Sequence, residues 1–318
     1  MPKVILSNGI EFECLPNQTI LDAAKLNKIS IEYSCDSGKC GVCIAPLLTG
    51  ETKAVNIEQS LNEIDIKTGK ILTCCREPVT DISLDIEDLG EIGNIPALTL
   101  PCRIDTLEFL NDEVIKATFR LPPNSNFKYI PGQYINLKYS NISRSYSIAN
   151  APQKDLKIEL QIKKVERGLM SDYFFNKACQ NDLLRMEGPF GTFSFRDDNS
   201  KNIIFIATGT GIAPIKAIIE NFHKNKMKKN IYILWGARNR KDFYLDIESL
   251  FNNCKFIPVL SRENIDGYFH GYVQDAVLNL GIDLAESSVY ACGSITMIND
   301  AFKILNANGL DKKSFYSD

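Results

Sequence analysis

The sequence predicts a multidomain chain of mixed α+β and α/β class, built from three consecutive parts. Six of the ten cysteines fall before residue 80, in a segment with short strand-like and helix-like runs. From about 102 to 196 the chain is rich in short alternating strands. From 202 onward β-branched strands alternate with predicted helices, among them APIKAIIENFHK and DFYLDIESLF. Clustered strands favour an antiparallel barrel or sandwich, whereas strand–helix alternation favours a parallel α/β domain. We therefore expect domains at 1–92, 98–197 and 198–318, and the glycine- and proline-rich run LGEIGNIPALTLP predicts a linker at about 90–101.

Composition and charge narrow the class of protein. The 318 residues are 44% hydrophobic and 24% charged, as in an ordinary globular protein. The sequence shows no apolar run of membrane-spanning length and no apolar secretory leader. Residues 1–92 carry 8 Lys+Arg against 15 Asp+Glu, whereas the remainder carries 28 against 24. We expect a cytoplasmic protein that binds neither nucleic acid nor membrane, with an acidic first domain that can attract a basic surface.

The first domain opens with two apolar runs, KVILS and IEFECL, which meet at Asn8-Gly9. Asn-Gly between such runs predicts a hairpin. A short amphipathic helix is expected over 18–28, and the alternating run DISLDIEDL predicts a strand at its end. Cys14 is expected to be an apolar strand residue.

The cysteines that follow this helix have the spacing of a metal site. In CDSGKCGVC, Cys35, Cys40 and Cys43 stand at C-x4-C-x2-C, and Cys74 follows Cys43 after 31 positions. This spacing is typical of a plant-type [2Fe–2S] cluster. The glycines of the loop suit it, because the backbone must approach the sulfurs closely.

Zinc is the alternative, but structural zinc favours paired knuckles, and adjacent Cys74 and Cys75 do not easily face one tetrahedral ion. Residues 1–92 resemble the plant-type ferredoxins, in which the last ligand sits two positions after a leucine. Here that leucine is Leu72, so the resemblance implies that Cys74 is the ligand and Cys75 its neighbour. It also implies a β-grasp fold for this domain.

The run RSYS predicts a flavin-facing strand in the second domain. Arg144 offers a fork of donors for a phosphate, Tyr146 a flat face for a ring, and Ser147 a small hydroxyl, with Ser145 between them. These four residues alone are weak evidence, because Arg and Tyr on a strand are usually surface and core residues. Their context, between PGQY and EGPFGTF, strengthens the prediction.

The run RGLMS, which contains Gly168, Met170 and Ser171, precedes a predicted helix SDYFFNKAC. Ser171 is a suitable N-cap, and a helix N-terminus preceded by glycine is a natural seat for a pyrophosphate.

The third domain carries a glycine turn directly after a buried strand. IIFIATGTGIAP places Gly209, Thr210, Gly211 and Pro214 between that strand and a helix, where backbone amides can approach a pyrophosphate. The turn lacks the third glycine of the Rossmann fingerprint.

Three further runs point to a nicotinamide coenzyme. YACGS supplies Cys292 and Gly293, although Cys292 could equally be a buried structural thiol. WGAR ends at Arg238, at the end of a predicted strand. LSRE supplies Ser261 and Arg262, together with Glu263. An arginine there can take the 2′-phosphate of NADPH and a carboxylate the ribose of NADH, so the sequence leaves NADH and NADPH open.

The order G-Q-Y, R-x-Y-S, G-x-x-S, G-P-x-G-x-F, G-T-G-x-A-P and C-G resembles the ferredoxin–NADP reductase superfamily. The resemblance implies FAD on an antiparallel β-barrel and a parallel α/β nicotinamide-binding domain. It places Arg144 on the pyrophosphate, Tyr146 on the isoalloxazine and Ser147 near flavin N5. Gly168 and Ser171 then lie at the pyrophosphate, and Cys292 beside the nicotinamide. The implied cofactors are a [2Fe–2S] cluster, FAD and NADH, with NADPH as the alternative.

A closer resemblance, in IEYSCDSGKCG, ILTCC, RSYSIANAP and YACGS, is to the CDP-6-deoxy-Δ3,4-glucoseen reductases. It implies a redox partner protein, a pyridoxamine-phosphate dehydratase of 3,6-dideoxyhexose biosynthesis. The reductase component of an oxygenase is the alternative enzyme, and a redox sensor or electron carrier the non-enzyme alternative. Many relatives end in an aromatic residue near the flavin, so either Phe315 or Tyr316 substitutes here or the flavin face is more open.

Overall fold

The computed structural model of the protein describes residues 1–90, 95–225, 229–251 and 253–318, the side chains of 223–225 excepted. It divides into two compact units. The first comprises Met1–Pro96, Phe190–Phe193 and Asp318, and the second comprises Ala97–Pro189 and Ser194–Ser317. The predicted barrel and α/β regions therefore both lie in the second unit.

The first unit is a mixed sheet with one main helix against it. Its elements are β1 (Lys3–Leu6), β2 (Glu11–Glu13), α1 (Ile20–Leu26), β3 (Ile44–Thr49), β4 (Thr52–Ala54), α2 (Glu63–Lys67), β5 (Lys70–Leu72), β6 (Arg76–Pro78) and β7 (Ile82–Leu84). The sheet runs β2-β1-β7-β3-β5, with β1 and β7 parallel, and β4 pairs separately with β6. The β1–β2 hairpin at Asn8-Gly9 is as predicted. This mixed sheet fits the expected β-grasp fold.

Helix α1 is shorter than the predicted 18–28. It begins after Thr19, whose hydroxyl accepts the Asp22 N–H at 3.1 Å, and a Ser, Thr or Asp at this position stops a helix from extending further back. Its buried residues Ile20, Leu21, Ala23 and Ala24 join the core of the unit, which also takes in Cys14. The strand predicted from DISLDIEDL is limited to β7.

The second unit begins with an antiparallel barrel. Its elements are β8 (Leu98–Asn111), β9 (Val114–Arg120), β10 (Tyr134–Tyr139), β11 (Ile142–Ser147), β12 (Lys157–Lys163), α3 (Leu169–Asn176) and β13 (Leu183–Phe190). The sheet order is β11-β10-β13-β8-β9-β12. A bridge between Ile148 and Leu160 joins its two edge strands, so the sheet curls into a closed barrel around an aromatic and aliphatic core. The linker predicted at 90–101 is wrong at its end, because 98–101 belong to β8; residues 91–94 lie outside the described residues.

The rest of this unit is a parallel sheet flanked by helices. Its elements are β14 (Asn202–Thr208), α4 (Ile212–Asn225), β15 (Asn230–Ala237), α5 (Ile247–Leu250), β16 (Lys255–Leu260), β17 (Phe269–His270), α6 (Val273–Leu278), β18 (Ser287–Cys292), α7 (Ile295–Ala307) and β19 (Phe315–Ser317). The parallel order is β17-β16-β15-β14-β18-β19. The strands that follow β14 in the chain are added on one side of it as far as β17, and β18 and β19 are added on its other side. Such a switch point in the strand order opens a ligand crevice at the carboxyl ends of the strands.

One predicted helix in this region, over DFYLDIESLF, shrinks to the four residues of α5. Asp246 accepts the Ser249 N–H at 3.1 Å and so caps the helix in the middle of the predicted run. Among the described residues, every helix is too short or too polar to cross a membrane.

Candidate functional site

The four predicted cluster thiols come together as two pairs in the first unit. The Cys35 and Cys40 backbone N–H groups donate to each other's sulfur, at 3.5 Å and 3.3 Å. The Cys43 thiol donates to the Cys74 sulfur at 3.1 Å, although 31 residues separate them. Within the described ranges, no group of three or more Cys, His, Asp or Glu side chains has the form of a single-ion site. Two thiol pairs fit a two-iron group, in which each iron takes two thiolates.

The pairing also shifts the acidity of the thiols. The pKa of Cys35 is lowered to about 4, chiefly because its sulfur accepts a hydrogen bond from the Cys40 side chain. The pKa of Cys74 is lowered to about 7, chiefly by the hydrogen bond from Cys43. The pKa values of the donors Cys40 and Cys43 are raised for the same reason. Each pair therefore contains one sulfur that favours the thiolate form, and thiolates are the form that binds iron.

Gly38 closes the loop over the adjacent Cys74 and Cys75. Its φ of +74° is left-handed, and a Cβ there would overlap the Ile57 carbonyl and stand 2.8 Å from the Cys75 sulfur. Cys75 is buried, and its sulfur lies 3.6 Å from that of Cys74. The pairing of Cys43 with Cys74 supports Cys74 as the ligand, with Cys75 directly behind it.

Strand β11 presents the RSYS residues at the edge of the barrel. Arg144 is exposed and lies on the same side of the strand as Tyr146, because side chains two apart share a face. Burial raises the pKa of the half-buried Tyr146 to about 12, with Arg144 opposing the shift, so the ring stays neutral and apolar. On the other side, Ser145 donates to the Asn136 side chain at 2.7 Å. Ser147 pairs with Tyr134 on β10.

The start of α3 differs from the prediction. Gly168, not Ser171, is the N-cap, and Ser171 is the third residue of the helix. The Ser171 hydroxyl is buried and bonds backward to the carbonyls of Val165 and Gly168, at 3.1 Å and 2.9 Å. A Cβ at Gly168 would stand 2.7 Å from that hydroxyl, so this position requires glycine. Met170 is buried in the barrel core, which leaves only its backbone for a ligand.

The glycine turn lies at the switch point of the parallel sheet. Gly209–Gly211 forms a single 3-10 turn between β14 and α4. A Cβ at Gly211 would overlap the Cys292 carbonyl oxygen, so the turn rests directly on the end of β18. The buried Trp235 on β15 donates its indole N–H to the Gly209 carbonyl at 3.0 Å. The turn and the C-G run are thus one continuous surface, with Pro214 in the first turn of α4, where its missing N–H is tolerated.

Arg238 and Arg262 are both exposed; Arg238 follows the end of β15, and Arg262 follows the end of β16. The Arg262 N–H donates to the Arg238 carbonyl at 3.1 Å, and Ser261 N–H to the Ala237 carbonyl at 3.0 Å, so both loops lie side by side. Glu263 turns its carboxylate to the Arg240 N–H at 2.7 Å. That contact occupies the carboxylate in holding the loop, whereas the Arg238 and Arg262 side chains lie toward solvent.

The aromatic residues near the C-terminus pack within the α/β region. Tyr316 stacks on Tyr290 with ring centroids 4.8 Å apart, and Arg196 covers its ring at 4.4 Å. Phe315 meets Phe302 edge-on at 5.2 Å.

Comparison with known proteins assigns each region to a cofactor. Residues 4–79 match the 2Fe-2S iron-sulfur cluster binding domain, 101–195 the oxidoreductase FAD-binding domain, and 205–303 the oxidoreductase NAD-binding domain. The CDP-6-deoxy-L-threo-D-glycero-4-hexulose-3-dehydrase reductase of Yersinia pestis is 40% identical over 98% of this chain and 95% of its own length. The chain belongs to the family of these reductases. It is an oxidoreductase whose cofactors are a [2Fe–2S] cluster, FAD and a nicotinamide coenzyme.

Other relatives extend the same arrangement. Protein RfbI of Salmonella typhimurium is 37% identical over 99% of this chain and 94% of its own length. Reductase component 1 of the terephthalate 1,2-dioxygenase of a Comamonas species is 28% identical over 99% of this chain and 95% of its own. Among solved structures, the Amycolatopsis cytochrome P450 reductase GcoB has a TM-score of 0.76 at 24% identity, covering 100% of this chain and 98% of its own. This last likeness shows the shared fold.

The sequence motifs did not reveal one buried charge close to the glycine turn, that of Lys216 on α4. Its side chain is 8% exposed. The signal in the sequence was a lysine inside the otherwise apolar run IAPIKAII.

Proposed function

We propose that the chain passes electrons from NADH, through FAD and the [2Fe–2S] cluster, to a pyridoxamine-phosphate-dependent dehydratase acting on a CDP-linked 6-deoxyhexose. The observation that carries this acceptor is the 40% identity, over nearly the whole chain, to the Yersinia dehydrase reductase. The oxygenase reductase component is only 28% identical over a similar span. The chain's free cysteines, ten in all, support action in the reducing cytoplasm.

In this proposal the cofactors supply the redox chemistry: the nicotinamide gives a hydride, the flavin accepts two electrons, and the cluster carries them singly. The protein holds the three groups in order. Residues 1–92 form the cluster domain, in which Cys35 with Cys40, and Cys43 with Cys74, hold the irons. Residues 98–197 form the flavin domain and residues 198–318 the nicotinamide domain.

The proposed flavin-binding site is formed by β11 and the start of α3. Arg144, exposed on the barrel edge, binds the pyrophosphate through its fork of donors, helped by the backbone of Ser145 and of Gly168–Ser171. Tyr146 keeps a neutral ring for the isoalloxazine. Ser147 would lie beside the reactive edge of the flavin. The packing of Phe315 and Tyr316 within the α/β region favours an open flavin face.

The proposed nicotinamide-binding site lies at the switch point of the parallel sheet. Gly209, Thr210, Gly211 and Pro214 form the turn that receives the coenzyme pyrophosphate. Cys292 and Gly293 border the nicotinamide, and Cys292 acts with Ser147 in orienting it. Arg238, Ser261 and Arg262 receive the adenosine end, where exposed guanidinium groups also accept NADPH.

The test begins with anaerobic titration of the purified holoprotein, first with NADH and then with NADPH, followed by visible absorption and electron paramagnetic resonance. We expect the flavin to bleach and a rhombic reduced-cluster signal to grow, faster with NADH. Cofactors that are present yet reduced by neither coenzyme would overturn the nicotinamide assignment and favour a redox carrier.

The acceptor is tested separately. The reduced protein is mixed with a pyridoxamine-phosphate dehydratase loaded with its CDP-sugar, or with the terminal component of an aromatic dioxygenase. Reoxidation of the cluster by the loaded dehydratase alone supports the proposal. Reoxidation only by the oxygenase component would make the chain an oxygenase reductase.

A further inference from the structure

A buried cluster of charges joins the barrel to the start of α4. Lys216 is the fifth residue of α4, which begins directly after Gly211. Its ammonium donates to Glu220 at 2.6 Å, to Glu159 on β12 at 3.3 Å and to the Ala149 carbonyl at 3.0 Å. All three donors of the ammonium are therefore used, two of them on groups of the barrel.

Glu220 extends the same link. One of its carboxylate oxygens accepts from Lys216, and the other accepts the Ala151 N–H at 2.9 Å. Helix α4 thus contacts the backbone of residues 149 and 151 through the Lys216 ammonium and the Glu220 carboxylate. These residues follow β11 immediately, two to four positions after Ser147.

The segment held in this way has little freedom of its own. The Ala149 N–H donates to the Glu159 carbonyl at 2.8 Å, and the Tyr129 hydroxyl donates to the Asn150 carbonyl at 2.9 Å. The Glu159 N–H donates to the Asn150 side chain at 2.8 Å. A shift of Lys216 would therefore also move the end of β11, the strand proposed to contact the flavin and called the flavin strand below.

A second, independent contact ties the same two regions. The Tyr244 hydroxyl donates to the buried Gln161 of β12 at 2.8 Å, and its ring meets Trp235 edge-on at 5.0 Å. Trp235 holds the Gly209 carbonyl. Both links run from β12 to the glycine turn or its helix.

We propose that Lys216, through Glu220 and Glu159, is a positioning residue that sets the end of the flavin strand against the dinucleotide turn, and so the approach of nicotinamide to flavin. This inference rests on the proposed function. Hydride transfer needs the reacting atoms about 3–3.5 Å apart, and a displacement of about 1 Å can cost about 10²-fold in rate. A buried ion cluster is a weak source of stability, but three directed hydrogen bonds fix a position.

The experiment measures flavin reduction by NADH in an anaerobic stopped-flow instrument, per bound FAD, with the holoprotein and its variants. For Lys216→Met we expect the rate constant at saturating NADH to fall at least about tenfold, with the NADH dissociation constant changed less than about threefold. The long-wavelength charge-transfer absorbance, which reports nicotinamide stacked on flavin, is expected to weaken. Lys216→Arg, which keeps the charge, is expected to recover most of the rate.

Glu220→Gln and the double variant complete the test. Because the two side chains act as one unit, the double variant is expected to be no slower than Lys216→Met alone. The matched control is Lys201→Met, which removes an exposed ion pair to Glu286 in the same unit and is expected to leave the rate unchanged. Should Lys216→Met not fold, an unchanged rate in Glu220→Gln overturns the inference.

A rate per bound FAD within threefold of the unmodified protein in Lys216→Met, or a loss confined to NADH affinity, would also overturn it. Failure of the unmodified protein itself to be reduced by NADH would instead overturn the proposed function. The two failures are therefore distinguishable in one set of measurements.

Discussion

The cluster loop and the glycine turn both bring backbone close to a ligand, yet they are built in opposite ways. Residues 31–43 contain neither helix nor strand. The Cys35 and Cys40 sulfurs accept backbone N–H groups of the loop itself, and the Cys43 thiol donates to the Cys74 sulfur. The turn at Gly209–Gly211 lies between a buried strand and a long helix and rests on β18 and Trp235. The comparison indicates that the loop is held by hydrogen bonds to its own sulfurs, whereas the turn is held by the regular elements packed against it and by one indole hydrogen bond.

The largest expected effect comes from the loop. In Cys43→Ser and Cys74→Ser, we expect iron content and reduction of a protein acceptor to fall at least about 10²-fold, because the loss of one thiolate opens the site. Flavin reduction by NADH is expected to remain. Iron analysis, electron paramagnetic resonance and thermal unfolding check this. Cys75→Ser is the matched control, and a cluster lost there but kept in Cys74→Ser would reverse the ligand assignment.

The turn is tested by Gly211→Ala. The added Cβ would overlap the Cys292 carbonyl, so the turn and β18 must separate. We expect the rate of flavin reduction to fall about 10²-fold while FAD stays bound. Gly281→Ala is the control: nothing lies within 4 Å of an added Cβ there, and its only strain comes from its own left-handed φ of +64°, which Gly211 does not share. Equal rates in both variants would mean that the contact with Cys292 does not matter.

A smaller effect is expected at the barrel edge. If Arg144 binds the pyrophosphate as proposed, Arg144→Ala removes charge-assisted hydrogen bonds worth about 1.5–3 kcal/mol, which is about 10- to 150-fold in FAD affinity. Fluorescence titration of the flavin-free protein measures this affinity. Arg185→Ala, on the exposed face of β13 in the same sheet, serves as the control. If FAD binds equally to both variants, Arg144 does not contact the pyrophosphate.

The smallest effect concerns the choice of coenzyme. Arg262 is exposed, so solvent weakens its attraction for a phosphate. Arg262→Ala is expected to weaken NADPH about five- to tenfold and NADH less than twofold, as measured by steady-state kinetics with each coenzyme. Glu263→Gln is the comparison. A larger change for NADH in that variant would show that the carboxylate, despite its contact with the Arg240 N–H, reaches the ribose.

The sequence predicted the parts of the site that depend on local spacing. Cys35, Cys40 and Cys43, the RSYS strand and the Gly209–Gly211 turn all lie where short-range patterns place them, because each is a single turn or strand. Periodicity recovered the strand-rich region and the parallel α/β region, whereas the β-grasp fold and the choice of a barrel over a sandwich came from the family resemblances. The roles of the individual residues remain predictions.

Errors arose where tertiary contacts override local preference. Ser171 is a good N-cap by type, but the hydroxyl bonds backward to Val165 and Gly168, so the helix begins earlier. The predicted linker extended too far, to residue 101, because residues 98–101 pair with β13 and so already belong to β8. The Lys216 link escaped notice because its partner Glu159 is 57 residues away in the chain, and no local pattern carries that distance.

Trp235 gives the molecule an optical reporter of its own. It is the sole tryptophan of the 318 residues, and its indole N–H binds the Gly209 carbonyl. Its emission therefore comes from one site, at the base of the dinucleotide turn. If the coenzyme binds at that turn as proposed, ultraviolet fluorescence will follow its arrival without any label. The same signal separates local loosening of the turn from unfolding of the first unit, which holds no tryptophan to emit.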